Sequence, residues 1–279
     1  MSTITITAQD INKLRQTTGA GMLDCRKALT ETNGDFEAAI DWLRKQGQKV
    51  AAKRSDRETK EGVIIAKTSA DHKTGFVICV SCETDFVSKN AEFVAFTQSI
   101  ADAAVANDVK SIAELNEVVI NGAKVSDLIN DKLASIGEKI GVAKFERIEA
   151  AYVASYIHGA NRMGVLVGLT AAAEEAGKDI AMQIAAMNPL AVDAASIPAE
   201  TIERERAIVV ETMKADTKMA GKPDEMIAKI AEGKLNAFFK EQTLLAQAFV
   251  KDGSITVADY LKSVGADLKV TEFKRIALG

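Results

Sequence analysis

The chain has 279 residues, 47% of them hydrophobic and only 5% aromatic, so it can bury a core built mostly of Ala, Val, Ile and Leu in two domains or one elaborated one. Its 35 basic and 39 acidic side chains leave a net charge of -4, which speaks against a protein whose main work is gripping phosphate backbones. The N-terminal residues do not pattern as a signal peptide, and no apolar run approaches the roughly 18 residues that cross a bilayer, so a soluble, cytoplasmic protein is expected.

Residues 1 to about 50 read as a compact three-helix module. Thr7 can cap a first helix bearing Ala8, Ile11 and Leu14, with Asp10 at the reciprocal capping position. Thr18-Gly19-Ala20-Gly21 breaks it, and a second helix carries Met22, Cys25, Ala28 and Leu29. After an Asn33-Gly34-Asp35 turn, Phe36, Ala39, Ile40 and Leu43 mark a third helix expected to stop at Gly47, with Trp42 covering the edge of the small core. Residues 48–60 are polar and rich in Lys and Arg, and read as a solvated linker.

Two strand-like runs follow, Gly62 to Lys67 and Gly75 to Cys82, joined by a turn-rich stretch. Phe93, Phe96, Thr97, Ile100 and Ala104 then mark a helix over about 91–106. A mixed region leads to a helix expected to start at a Ser126 cap and end at Gly137. Strand-like runs return at Tyr152 to His158 and Gly164 to Thr170, and a helix over about 178–187 ends at Asn188-Pro189. Hairpin then helix thus occurs twice, which reads as a degenerate duplication of one α+β unit. Residues 198–240 read as an antiparallel helical hairpin broken at Gly221-Lys222-Pro223. In the tail, Leu244 to Val250 reads as a strand, Ser254 to Val264 as a capped helix and Val270 to Leu278 as a final strand.

A search for chemistry finds little. There is no GxxxxGK[ST] phosphate loop, no HExxH and no GxSxG. Of the two histidines, His72 lies in a turn and His158 closes a strand, and neither has a designated nucleophile or orienting carboxylate. Cys79 and Cys82 match the CxxC spelling, but inside a strand residues i and i+3 face opposite ways, and no further ligands complete a zinc site. Glu174-Glu175 falls in what reads as an acidic loop. The pattern is that of a binding protein rather than an enzyme, with no cofactor expected.

The feature that remains is Glu83-Thr84-Asp85-Phe86-Val87, at the corner where a strand gives way to a helix. Asp85 could cap the next helix while Phe86 tucks into the core. Alternatively both side chains point outward, as an apolar wedge with a charge beside it. The second copy of the unit has Ala171-Ala172-Ala173-Glu174-Glu175 in that place, so the fold unit does not itself require the motif.

Two segments together resemble signatures of the bacterial elongation factor Ts family. One is Leu14-Arg15-Gln16-Thr17-Thr18-Gly19-Ala20-Gly21-Met22-Leu23-Asp24-Cys25-Arg26-Lys27-Ala28-Leu29, and the other is Cys82-Glu83-Thr84-Asp85-Phe86-Val87. The resemblance extends over essentially the whole chain. It implies an α+β fold: an N-terminal three-helix ubiquitin-associated-like module, a duplicated antiparallel-sheet-plus-helix core and a protruding antiparallel helical hairpin. The expected division is 1–55 for the module and linker, 56–150 and 151–197 for the two core subdomains, 198–240 for the hairpin, and 241–279 for the return to the second subdomain.

What the resemblance implies for function is guanine-nucleotide exchange on the GTPase elongation factor Tu, with Thr84, Asp85, Phe86 and Val87 dislodging that partner's magnesium ion. It places Leu14, Met22 and Leu23 near a docking contact of the module, and further contacts at Ile136-Gly137 and at the His158 turn. The turn after His158 holds one residue more than the family pattern. Two other readings stand beside this one: an adaptor without exchange activity, and a thiol enzyme using Cys79 and Cys82.

Overall fold

The computed structural model describes residues 5–54, 56–215 and 223–279. The chain opens with α1 (Ala8–Thr18), α2 (Met22–Glu31) and α3 (Phe36–Lys53). Thr7 and Asp10 form the expected capping box, and Gly19 closes α1 in the left-handed region at φ 70°. Leu14, Cys25, Ala28, Leu29, Ala39 and Leu43 pack into one small core, with Trp42 at its margin. One expectation fails here. Gly47 does not stop α3, which runs on to Lys53. A Cβ at Gly47 would lie 2.6 Å from the Ala134 Cβ, so this glycine lets two helices approach closely.

The first core unit contains β1 (Glu61–Thr68), β2 (Thr74–Cys82), the one-turn α4 (Asp85–Ser88), α5 (Ala91–Ala106), α6 (Ile112–Glu117), the small hairpin β3 (Val119–Ile120) and β4 (Ala123–Lys124), α7 (Val125–Ile136) and β5 (Gly141–Glu149). Asn90 caps α5 through its side chain. α7 starts one residue ahead of Ser126, with Lys124 at the N-cap position and no side-chain cap. The second unit contains β6 (Tyr152–His158), β7 (Met163–Leu169) and α8 (Glu174–Met187). Glu174 and Glu175 form the first turn of α8 rather than a loop, where two carboxylates favour the positive end of the helix.

The helical hairpin is α9 (Ala199–Ala215) and α10 (Asp224–Gln242), with its own seam of Met213, Ile227 and Ala231. The Gly221-Lys222 part of its expected break lies outside the described residues. Leu244 to Val250 is not a continuous strand: a short 3-10 turn over Leu244–Ala246 precedes the two-residue β8 (Ala248–Phe249). Ser254 belongs to β9 (Asp252–Thr256), and Thr256 with Asp259 caps α11 (Val257–Val264). The chain finishes its second sheet with β10 (Val270–Ala277).

Both units share one topology. The first sheet has the order β1-β2-β5 and the second β6-β7-β10, so each return strand pairs with the second strand of its hairpin. The sheets meet face to face through Ile64, Val77, Cys79, Val153, Leu166 and Ile276. Their opposite faces carry helices: Phe76, Ile78, Val80 and Cys82 pack with α5 and α7, and Val165, Val167 and Leu169 pack with α8. β2 is therefore buried on both faces, which explains its unbroken apolar run. Glycines permit the close approach: a Cβ on Gly75 would meet Val153 Cγ1 at 2.6 Å, and one on Gly164 would meet Val77 Cγ2 at 2.7 Å. Among the described residues no helix is long and apolar enough to cross a membrane.

Candidate functional site

β2 ends at Cys82 with its side chain in the helix-facing core, and the chain then turns outward. Thr84 occupies the N-cap position of α4 with extended backbone, φ -121° and ψ 155°, yet makes no cap to its own helix. Its hydroxyl donates instead to Glu138 Oε1 at 2.6 Å. Val87 packs back against the core and Ser88 is buried. Between these anchors Phe86 is 85% exposed. Of the two readings of this corner, the outward one describes Phe86. Asp85 does not cap α5, since Asn90 does. Its carboxylate accepts from Lys89 Nζ at 2.7 Å, and that hydrogen bond and charge hold it below the usual carboxylate range.

The corner is tied to the end of α7. Glu138 Oε2 accepts the backbone N–H groups of Glu83 and Thr84, each at 3.0 Å. Glu83 answers by accepting the Lys139 N–H at 2.6 Å, and takes Arg54 and Arg57 at 2.9 and 2.8 Å. These bonds, the Lys139 amide first, draw the Glu83 carboxyl down to about 2. So the basic stretch read as a solvated linker is in part a clasp: two of its arginines converge on one carboxylate whose side chain is only 15% exposed.

Ile136 is half-buried against the first unit's core, and Gly137 closes α7 in the left-handed region at φ 77°. Gly137 and Glu138 are consecutive, so this helix end lies directly behind the corner. His158 is exposed at the end of β6, with Nδ1 3.0 Å from Tyr156 Oη. The turn after it has three residues at positive φ, Gly159, Ala160 and Asn161. Asn161 bonds Ile64 twice, accepting its N–H at 2.8 Å and donating from Nδ2 to its carbonyl at 3.1 Å. Asn161 thus stitches the second hairpin to β1. Arg162 pairs with Glu61 at 2.6 Å, and Glu61 lies across from Cys82 in the β1–β2 register, which puts this turn beside the corner.

In the module, Met22 is 42% and Leu23 82% exposed on the first turn of α2. Leu14 does not belong with them. It is completely buried in the module core, where it holds α1 in place. The module leans on α7 through Gly47 against Ala134 and Gly19 against Ser135. The structure therefore brings the corner, the helix end and the His158 turn together, and seats the module on the helix that supports them.

Cys79 and Cys82 face opposite sides of the sheet, as their spacing requires. Burial pushes the first thiol up to about 11, and burial with the nearby charges of Glu138 and Glu61 pushes the second up to about 12. Neither is an activated nucleophile. Sequence reasoning missed Glu138, Arg54 and Arg57 as parts of the site. The only signal of the two arginines was charge complementarity with Glu83; Glu138, itself acidic and bonded to backbone N–H groups, carried none.

The family model described as Elongation factor TS matches residues 83–279. The Elongation factor Ts of Flavobacterium psychrophilum is 48% identical over 278 residues, covering 99% of this chain and 99% of that protein. That of Christiangramia forsetii is 46% identical, covering 98% and 99%. That of Clostridium perfringens is 40% identical, covering 98% and 93%. Likeness of this extent, on a fold with the expected module, twin sheets and helical hairpin, means that the chain belongs to the elongation factor Ts family.

Proposed function

We propose that this chain is a guanine-nucleotide exchange factor for elongation factor Tu, acting in the cytoplasm during translation elongation by disturbing the magnesium and phosphate site of that GTPase. The observation that carries this reading is Phe86, a large apolar side chain held 85% exposed on a corner whose neighbours are pinned. Water penalises such an exposed ring, and a protein partner can relieve the penalty. Burying one phenylalanine contributes about 1.5–3 kcal/mol. If that energy is gained only in a distorted partner, it shifts the partner toward distortion by roughly ten- to a hundredfold.

The target of the distortion follows from the chemistry of GTPases. GDP is held by a phosphate loop and a magnesium ion. Magnesium demands near-ideal octahedral coordination, so a small displacement of its ligands releases it. Phe86 supplies the wedge, and Asp85 places a negative charge beside it. Thr84 and Val87 hold the corner. Met22 and Leu23 supply a docking contact from the module, and Ile136, Gly137 and His158 extend the footprint around the corner.

No covalent step is involved, and the chain acts as a binding partner rather than an enzyme. The coupling is reciprocal: whatever factor this protein takes from GDP affinity, GDP takes from the affinity of the complex. The test is release of fluorescent GDP from purified elongation factor Tu with and without this chain. A concentration-dependent acceleration is expected. An unchanged release rate at saturating protein contradicts the reading.

A further inference from the structure

Resting on the exchange reading above, we infer that Glu138 is a positioning residue for Phe86: its carboxylate holds the corner that aims the ring, and with Glu83 it makes corner and helix end one rigid support.

The need for such a support comes from α4 itself. A helix of four residues has almost no internal hydrogen bonding to hold it. An ordinary helix start is stabilised when the N-cap side chain turns back onto the first amide groups. Thr84 sits at that position and gives its hydroxyl away to Glu138 instead. The direction in which Phe86 points is therefore set from outside the corner.

Glu138 is well suited to the task. Both its oxygens are used: Oε2 takes the Glu83 and Thr84 amides at 3.0 Å each, and Oε1 takes the Thr84 hydroxyl at 2.6 Å. Charge-assisted bonds of this kind are stronger than neutral ones. Its own position is fixed by the left-handed turn at Gly137 that ends α7. The second carboxylate runs the opposite way, from Glu83 to the Lys139 amide at 2.6 Å, while Arg54 and Arg57 hold it from the far side. Two chain segments far apart in sequence are thus cross-bonded in both directions. A wedge transmits force only if its mount yields less than what it displaces. Preorganisation of this kind removes the ordering cost that a floppy corner would charge against the bound state.

A double-mutant cycle in the full chain tests this, reading the rate of GDP release from elongation factor Tu at saturating concentrations of Glu138→Ala, Phe86→Ala and the double variant. Glu138→Ala is expected to slow release about tenfold, the scale on which a displaced group loses its effect. In the Phe86→Ala background the same substitution is expected to add almost nothing, because no ring remains to be aimed. A merely structural role would instead multiply through both backgrounds. Glu138→Gln is expected to restore the rate, since its amide oxygen can accept both N–H groups and its NH2 can donate to the Thr84 hydroxyl.

Should Glu138→Ala fail to fold, Thr84→Val carries the same cycle with a smaller loss, about threefold. The inference is overturned if either variant exchanges at the wild-type rate, or if its loss persists in full without the ring, while Phe86→Ala alone is defective. A Phe86→Ala protein that exchanges normally removes the wedge reading itself, and with it this inference, so the two failures are told apart.

Discussion

The two halves of the core repeat one plan and differ where strand passes to helix. In the first, residues 83–90 separate β2 from α5 and include the extra turn α4 with its exposed ring. In the second, residues 170–173 lead from β7 almost directly into α8. Every part that makes the unit stable is present in both: a hairpin, a covering helix and a return strand beside the second hairpin strand. The corner is an addition to that plan, braced by Glu138, Glu83, Arg54 and Arg57. The second half has its own brace in another place, where buried Asp179 on α8 accepts from Tyr260 Oη at 2.9 Å and Lys251 Nζ at 2.6 Å. The lesson is that stability resides in what the halves share, while the exposed ring proposed to meet a partner sits in what they do not.

The shared part is the most sensitive to change. Gly75→Ala and Gly164→Ala each drive a methyl group into the opposing sheet, and each is expected to cost about 1–3 kcal/mol in denaturant unfolding. If one is costly and the other free, the two sheets are not equivalent and the comparison breaks. Next comes Tyr260→Phe, which removes one acceptor bond of the second half's brace and should cost about 1 kcal/mol while leaving GDP release untouched. A fall in exchange rate with unchanged stability would show that the second brace also serves the partner site.

Acid should loosen the brace at the corner. The Glu83 carboxyl titrates near 2 in the fold against roughly 4.3 in an unfolded chain, so it contributes stability above the higher value. That contribution is lost as pH falls from about 4.3 toward 2. Glu83→Gln should flatten the stability profile in that window and leave it parallel to wild type above it. An unchanged slope would mean the clasp is not formed in solution. The smallest effect is expected from Leu23→Ser: the side chain is 82% exposed, so melting temperature should stay put while affinity for elongation factor Tu falls by about 1 kcal/mol. Lost stability with unchanged affinity would mean Leu23 belongs to the module's fold.

Much of this layout could be read from the chain because the readable parts rest on local periodicity. The alternation along β2 correctly sends Cys79 and Cys82 to opposite cores, and the apolar spacing in 91–106 gives α5 its observed bounds. The failures have a common physical cause. Gly47 carries the same signal whether it ends a helix or lets one touch another, and only α7 decides between them. Leu14 lies on the buried stripe of its own helix, where the spacing marks a core residue and the signature around it does not. Glu138 has no local mark at all, since its partners are defined by tertiary approach.

The most direct test of the central claim is stimulated GDP release from elongation factor Tu by Phe86→Ala, with Phe86→Leu as the variant that keeps an apolar side chain. Because the ring is exposed, both variants should melt with wild-type cooperativity. The alanine variant is expected to lose roughly ten- to a hundredfold in release rate and the leucine variant to recover part of it. Release at the wild-type rate by a folded Phe86→Ala protein would contradict the account.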